Sequence, residues 1–246
     1  MLVVRIDCSG KVALVTGGSS GIGKVITDVL AKAGASCVVI DKDVYKGNAA
    51  HWSIEMDVTD ANMLHRIDHL TEIHILVNNA GILGPPKLFE NICLKHIEEL
   101  WQVNLRAPML LSQWALPRMR RAGGGVIINI ASIAAFRGSA TDPVYAAMKA
   151  GLIGLTASLA SQYGPYGIRA VCICPGTVRG TQLLERARGY GFTKDEALAL
   201  IARLPLRRTV TPEDVAYLVA FLASPLAHSI TGNAILLDAG ELRCLI

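Results

Sequence analysis

Apolar residues gather along this chain in short, β-branched runs, each followed by a glycine or polar turn and then by a stretch of helical period. The runs at 11–16, 36–40, 53–56, 73–77, 126–130, 168–174 and 234–237 have strand length and little polar alternation, the pattern of strands buried on both faces. Residues 24–33 place Val25, Ile26, Val29 and Leu30 on one helical face. Residues 94–119 read as one long helix, broken or bent near Pro108 and Pro117. Another helix opens at Pro143, where a proline's missing N–H is not needed, and extends to about Tyr163. Thr211-Pro-Glu-Asp214 is a capped helix start leading through Val215 to Ala223. Only residues 42–52 separate the second and third runs, too few for a crossover helix with its turns. A further helix is expected from near Asp60, carrying His65 and His69 on one face.

Composition narrows the class. The chain has 246 residues, enough for one sizeable core, with 52% hydrophobic and 18% charged residues. That balance suits a buried parallel sheet and excludes a disordered chain. The net charge of +4 is spread along the sequence. Its densest basic run, Arg118-Met-Arg-Arg121, reads as a helix C-terminus, where cations oppose the dipole, so no nucleic-acid partner is expected. No apolar stretch of the roughly 18 residues a membrane span needs is expected, and no signal peptide is evident at the N-terminus. Six cysteines are scattered, with Cys172 and Cys174 on one face of a strand as small core residues. A reduced, cytoplasmic protein follows as the expectation. His65 and His69 lack a nearby third ligand, so no metal site is expected.

Two stretches carry chemistry. Thr16-Gly-Gly-Ser-Ser-Gly-Ile-Gly23 joins the first strand to the first helix. Strand, glycine turn and helix are the context of a dinucleotide phosphate site: glycines admit the pyrophosphate, and the helix N-terminus offers N–H groups and positive potential. Asp41, at the end of the second strand, suits the two adenosine ribose hydroxyls and would repel a 2′-phosphate, which points to NAD. Lys42 directly follows and could meet a phosphate, so NADP stays as the less favoured cofactor. In the second stretch a strand ends at Ser132, and Tyr145 and Lys149 follow at helical spacing on one face. An ammonium beside a phenol favours the phenolate, and a serine hydroxyl can hydrogen-bond a substrate oxygen.

Ser132, Tyr145 and Lys149, the spacing Gly17-x-x-x-Gly21-x-Gly23, and Asn78-Asn79-Ala80-Gly81 together resemble the short-chain dehydrogenase/reductase family. The resemblance runs over roughly residues 8–240. It implies one doubly wound, Rossmann-like α/β domain over residues 1–246, with a seven-stranded parallel sheet in the order 3-2-1-4-5-6-7 and helices on both faces. It implies a dinucleotide held by Gly17, Ser19, Ser20, Gly21, Ile22, Gly23, Asp41, Lys42, Asp57, Val58, Asn79, Ala80, Gly81, Tyr145, Lys149, Pro175, Gly176, Val178 and Thr181. Asp57 would contact adenine by this resemblance, or else simply cap the helix expected near Asp60. Asn104 would be the fourth catalytic residue, or a buried polar group satisfied by backbone. The family usually has a threonine two residues after the valine; here that position is Gly180 and Thr181 comes next. Residues 177–205 would be the substrate lid, with Leu83, Ile133, Phe136 and Tyr190 as apolar and Arg137 as polar pocket candidates. A homotetramer, or a homodimer, is implied.

The activity that follows is hydride transfer between NAD(H) and a secondary alcohol or ketone. Two alternatives stay open: an NADPH-dependent 3-oxoacyl reductase, and a non-catalytic dinucleotide-binding sensor or scaffold.

Overall fold

The computed structural model describes residues 5–47, 49–84, 86–180 and 193–244. Seven parallel strands form one sheet in the order β3-β2-β1-β4-β5-β6-β7. They are β1 Val12–Thr16, β2 Ser36–Asp41, β3 Ala50–Glu55, β4 Ile75–Asn78, β5 Gly125–Ile130, β6 Ile168–Pro175 and β7 Ala234–Leu237. This is the expected doubly wound arrangement, with the reversal of strand order between β1 and β4.

Alternation along the strands assigns each side chain to one of the sheet's two faces. Ala13, Val15, Val77, Ile128 and Ile173 pack with Ile26 and Leu30 of α1 (Gly21–Lys32). The helix Pro212–Ala223 covers the same face through Val215 and Val219. Leu14, Val38, Ile40, Leu76 and Ile127 point the other way, onto Leu111, Ala115 and Met119 of the helix Ala107–Arg121 and Leu159 of the helix Pro143–Tyr163. Thr211 caps its helix as expected: its hydroxyl accepts from Asp214 N at 3.2 Å while the Asp214 carboxylate accepts from Thr211 N at 2.9 Å.

Four expectations change. β3 begins at Ala50, because the β2–β3 register shifts between Cys37 and Val38 and extends pairing backwards. The helix expected from Asp60 is reduced to Met63–Arg66. Asp57 and Asp60 accept hydrogen bonds from Thr59 N and Asn62 N, closing local turns in place of a helix start. The long helix is interrupted at Gln102–Arg106 by a π turn, not at Pro117. One stretch, Pro143–Tyr166, is long and apolar enough by length and composition to cross a membrane, where none was expected. It carries the buried Lys149 and Thr156 and packs Leu152 against Cys172 and Cys174 of β6. Between β2 and β3 no helix is present among the described residues, as the short spacing requires.

The basic run does end its helix, and its charges are used within the fold. Arg118 donates to Leu70 O and stacks on Trp114, and Arg120 stacks on Tyr166.

Candidate active site

Beyond the ends of β1 and β4 the chain splices two loops together. Thr16 Oγ1 accepts from Asn79 N at 3.0 Å and Ala80 N at 3.1 Å, and Asn79 Nδ2 donates to Thr16 O and Gly17 O. The glycines are required by this closeness. A Cβ on Gly23 would run into the Gly17 carbonyl, and one on Gly17, at φ +64, would lie 3.0 Å from Ala80 Cα. α1 then starts at Gly21 with no side-chain cap from Ser20, so its first N–H groups face the opening.

These loops border a crevice of about 340 Å³ at the reversal of strand order. It is lined by Gly17 and residues 20–23, by Asp41, Lys42, Asp57 and Val58, and by Asn79, Ala80 and Gly81. Met56, Ile82 and Val103 add apolar walls. Ser19 is not in the lining, but its N–H donates to Asp41 Oδ2 at 2.8 Å and its hydroxyl to Asp43 O at 2.7 Å. Lys42 Nζ pairs with Asp57 Oδ2 at 2.7 Å. Burial pushes the Asp57 carboxyl up, but the Lys42 ammonium and the bonds from Thr59 outweigh it and hold the group below its ordinary value.

Ser132, Tyr145 and Lys149 stand where β5 hands over to the helix Pro143–Tyr163. Ser132 Oγ accepts from Ala134 N at 3.1 Å, which bends the chain sharply off the strand. Tyr145 is half-buried and Lys149 is buried, with Nζ 5.5 Å from the Tyr145 ring centroid and donating to Ile130 O at 2.9 Å. Burial pushes the Lys149 ammonium down to about 8.

Asn104 is fully buried inside the π turn. Its amide donates to Ile82 O at 3.0 Å and its carbonyl accepts from Ile82 N at 3.2 Å, so backbone does satisfy the side chain. Gly81 shows where the two groups of residues meet: a Cβ there would lie 3.0 Å from Asn104 Oδ1 and 3.3 Å from Lys149 Nζ. A residue of the crevice wall thus lies beside both Asn104 Oδ1 and the buried Lys149 Nζ.

The third group follows β6. Pro175 O accepts from Ile133 N at 3.0 Å, joining this turn to the Ser132 loop. A Cβ on Gly176 would meet Asp238 and Glu241 at 2.8 Å. Val178 is buried and pairs in parallel with Val210. Thr181 and Tyr190 lie outside the described residues, as does residues 181–192 of the expected lid, whose described part includes the helix Lys194–Ala202. Leu83 and Phe136 are exposed, whereas Ile133 is 3% exposed and belongs to the core, so it offers no pocket surface. Arg137 pairs with Glu241 at 3.0 Å. His65 and His69 are exposed, and no cluster of three potential metal ligands is present among the described residues.

Sequence reasoning missed two residues. Asp142 is 2% exposed; its carboxylate accepts from Tyr145 N at 3.0 Å and Gly84 N at 2.9 Å, fixing the Tyr145 helix against the loop after Gly81. Its position directly before Pro143 is the signal of an N-cap. Glu241 is also buried and accepts from Thr177 N at 2.8 Å; nothing local in the sequence marks it.

The family model for short chain dehydrogenase matches residues 11–189. The chain belongs to this family. An uncharacterized oxidoreductase of Thermotoga maritima is 34% identical, with 96% of this chain and 99% of that protein aligned. A Beutenbergia cavernae structure with bound NADP, provisionally named an NAD(P)-dependent gluconate 5-dehydrogenase, superposes with a TM-score of 0.87 at 31% identity, covering 97% and 99% of the two chains. The 3-ketoacyl-(acyl-carrier-protein) reductase of Brucella melitensis, complexed with NADH, gives a TM-score of 0.84 at 29% identity over 95% and 99%. Family membership makes the chain an oxidoreductase of the short-chain type and gives the crevice its context.

Proposed function

We propose that this protein interconverts a secondary alcohol and a ketone with NAD(H) as the hydride partner. The observation that carries the reading is the convergence of Lys149 Nζ and Asn104 Oδ1 on Gly81, at the wall of the glycine-loop crevice. The crevice fits a dinucleotide by its own chemistry. Close-packed glycines leave backbone room, an uncapped helix start suits a pyrophosphate, and Asp41 suits ribose hydroxyls. Gly17, Ser20 and residues 21–23 would hold the phosphates, Asp41 the adenosine ribose, Asp57 and Val58 the adenine, and Pro175, Gly176 and Val178 the nicotinamide end. When bound, the nicotinamide ring supplies the hydride acceptor or donor.

The chain's own residues handle the proton. Ser132 Oγ orients the substrate oxygen; in alcohol oxidation the Tyr145 phenolate takes the proton from that oxygen, and in ketone reduction the Tyr145 hydroxyl returns it. The Lys149 ammonium offsets negative charge developing on the phenol oxygen. It is held in place by Ile130 O and sits in a low-dielectric site, where that offset is worth more than in water. Asn104 fixes the loop at Ile82 and so the wall facing Lys149.

A second reading, reduction of 3-oxoacyl substrates, is favoured by the similarity to the Brucella melitensis reductase. That structure holds NADH, so an Asp41-type preference for NAD does not by itself separate the two readings. The test is a screen of the purified protein, with NAD, against polyols, hydroxy acids, steroids and cyclic alcohols, and with NADH and NADPH against 3-oxoacyl thioesters. Oxidation of one alcohol class supports the first reading. Exclusive reduction of the thioesters replaces it with the second. Tight NADH binding with no turnover of any substrate leaves a dinucleotide-binding protein without catalysis.

A further inference from the structure

Three charged side chains face the adenosine end of the crevice: Asp41, Lys42 and Asp57. Lys42 is the one cation among the described residues of the lining. It is directed at Asp57. The β2–β3 register pairs Asp41 with Glu55, and Met56 N donates to Asp41 O at 2.7 Å, so residues 42 and 57 meet just beyond the two strand ends. There Lys42 Nζ contacts Asp57 Oδ2 at 2.7 Å, while Asp57 Oδ1 accepts from Thr59 N at 2.9 Å. Asp57 is therefore anchored by its own turn, and the exposed lysine is the arm that bends toward it. Asp41 is fixed as well, through Ser19 N and Asp43 N. With the pair closed, the net charge at this end is that of Asp41 alone.

We propose that Asp57 is a cofactor-selectivity residue acting through Lys42: it draws the crevice's cation across the β2–β3 gap and so withholds it from a phosphate on the adenosine ribose. This rests on the dinucleotide reading and adds to it a reason why a lysine next to Asp41 does not make the site a phosphate acceptor. A dinucleotide lacking the 2′-phosphate is the ligand the closed pair favours. Freed from Asp57, Lys42 has the length and exposure to meet a phosphate beside Asp41, and the site becomes tolerant of both cofactors.

The experiment measures dissociation constants of NADH and NADPH by fluorescence on the full chain, in wild type, Asp57→Asn, Lys42→Met and the double variant, at low and high salt. The asparagine keeps an acceptor for Thr59 N and for adenine but no charge for Lys42. Expected are tighter NADH than NADPH binding in wild type and, in Asp57→Asn, a rise of about fivefold to tenfold in NADPH affinity relative to NADH affinity. The gain should vanish in the double variant and shrink at high salt. Lys42→Met alone should leave the ratio of NADPH to NADH affinity within about twofold, since the lysine is already withheld. An unchanged ratio of NADPH to NADH affinity in Asp57→Asn, as in equal weakening of both cofactors, overturns the inference while leaving the dinucleotide reading intact. If Asp57→Asn does not fold, the exposed Lys42→Met decides: NADPH binding weakened beyond about threefold relative to NADH shows that Lys42 reaches the phosphate despite Asp57. Wild type binding neither cofactor overturns both.

Discussion

Pro108 stands four residues after Asn104, so the Asn104 carbonyl has no helical N–H to receive. The helix answers with a π turn over Gln102–Arg106, in which Ala107 N reaches back to Gln102 O. Asn104 is thereby left buried with its side chain turned across to Ile82. The proline and the mid-helix asparagine, two separate oddities in the sequence, are one structural event.

Replacing Asn104 with Leu removes the side-chain partners of the part-buried Ile82 N–H and C=O. A loss of about 1–3 kcal/mol in stability, two hydrogen bonds, is expected from urea titration. The loop after Gly81 should also loosen, weakening NADH binding. A stability change below about 0.5 kcal/mol would show that water or another group satisfies Ile82 without Asn104.

The Lys149 ammonium makes stability depend on pH in a defined direction. Burial lowers it from 10.5 to about 8, so between roughly pH 8 and 10.5 the unfolded chain holds a proton here that the folded chain has released. The residue's contribution is a cost below that window, and stability rises with pH across it, by roughly 3 kcal/mol in total. Urea titrations of wild type and Lys149→Met should diverge in favour of wild type as pH rises from about 7.5 to about 10. A constant difference would mean that the ammonium is not desolvated.

Asp142 joins the Tyr145 helix to the loop at Gly84 through two backbone N–H groups. Asp142→Ala should cost about 1–3 kcal/mol by urea titration, the loss of a cap plus an unpaired N–H. Turnover should fall more than NADH affinity, because the misplaced group is Tyr145 and not the glycine loop. Equal losses in both would make Asp142 a support for the whole fold.

Two glycines should respond in opposite ways to the same change. Gly23→Ala drives a methyl into the Gly17 carbonyl and should abolish NADH binding. Gly154, within the helix Pro143–Tyr163, has open space where its Cβ would be, and Gly154→Ala should stabilise the protein by about 0.5–1 kcal/mol. Thermal melts and NADH titrations of both variants check the pair.

Much of this was legible because the signals were local. Ser20 to Gly23 sit where glycine spacing places them, Thr211 to Asp214 form the box their residue types announce, and the helix from Pro143 ends at Tyr163. The strand order was not a local signal; it came from the resemblance. What escaped depended on partners distant in sequence. Thr16 Oγ1 binds residues 63 and 64 positions away, and Glu241 meets Thr177 and Arg137 from the far end of the chain. The shortening of the helix after Asp60 has the reverse cause: aspartates that suit a helix start also close turns, and local bonds to Thr59 and Asn62 took precedence. Ile133, named with Phe136 as an apolar pocket candidate, is buried after the turn off β5, whereas Phe136 is exposed.

The proton-transfer role of Tyr145 is decided by Tyr145→Phe, which keeps the ring beside Lys149 and removes only the hydroxyl. Initial rates of nicotinamide reduction with the best alcohol from the screen, taken alongside NADH dissociation constants, give the answer in one comparison. Turnover should drop by about a hundredfold or more while NADH affinity stays within about threefold. Turnover within about threefold of wild type would contradict the proposed chemistry.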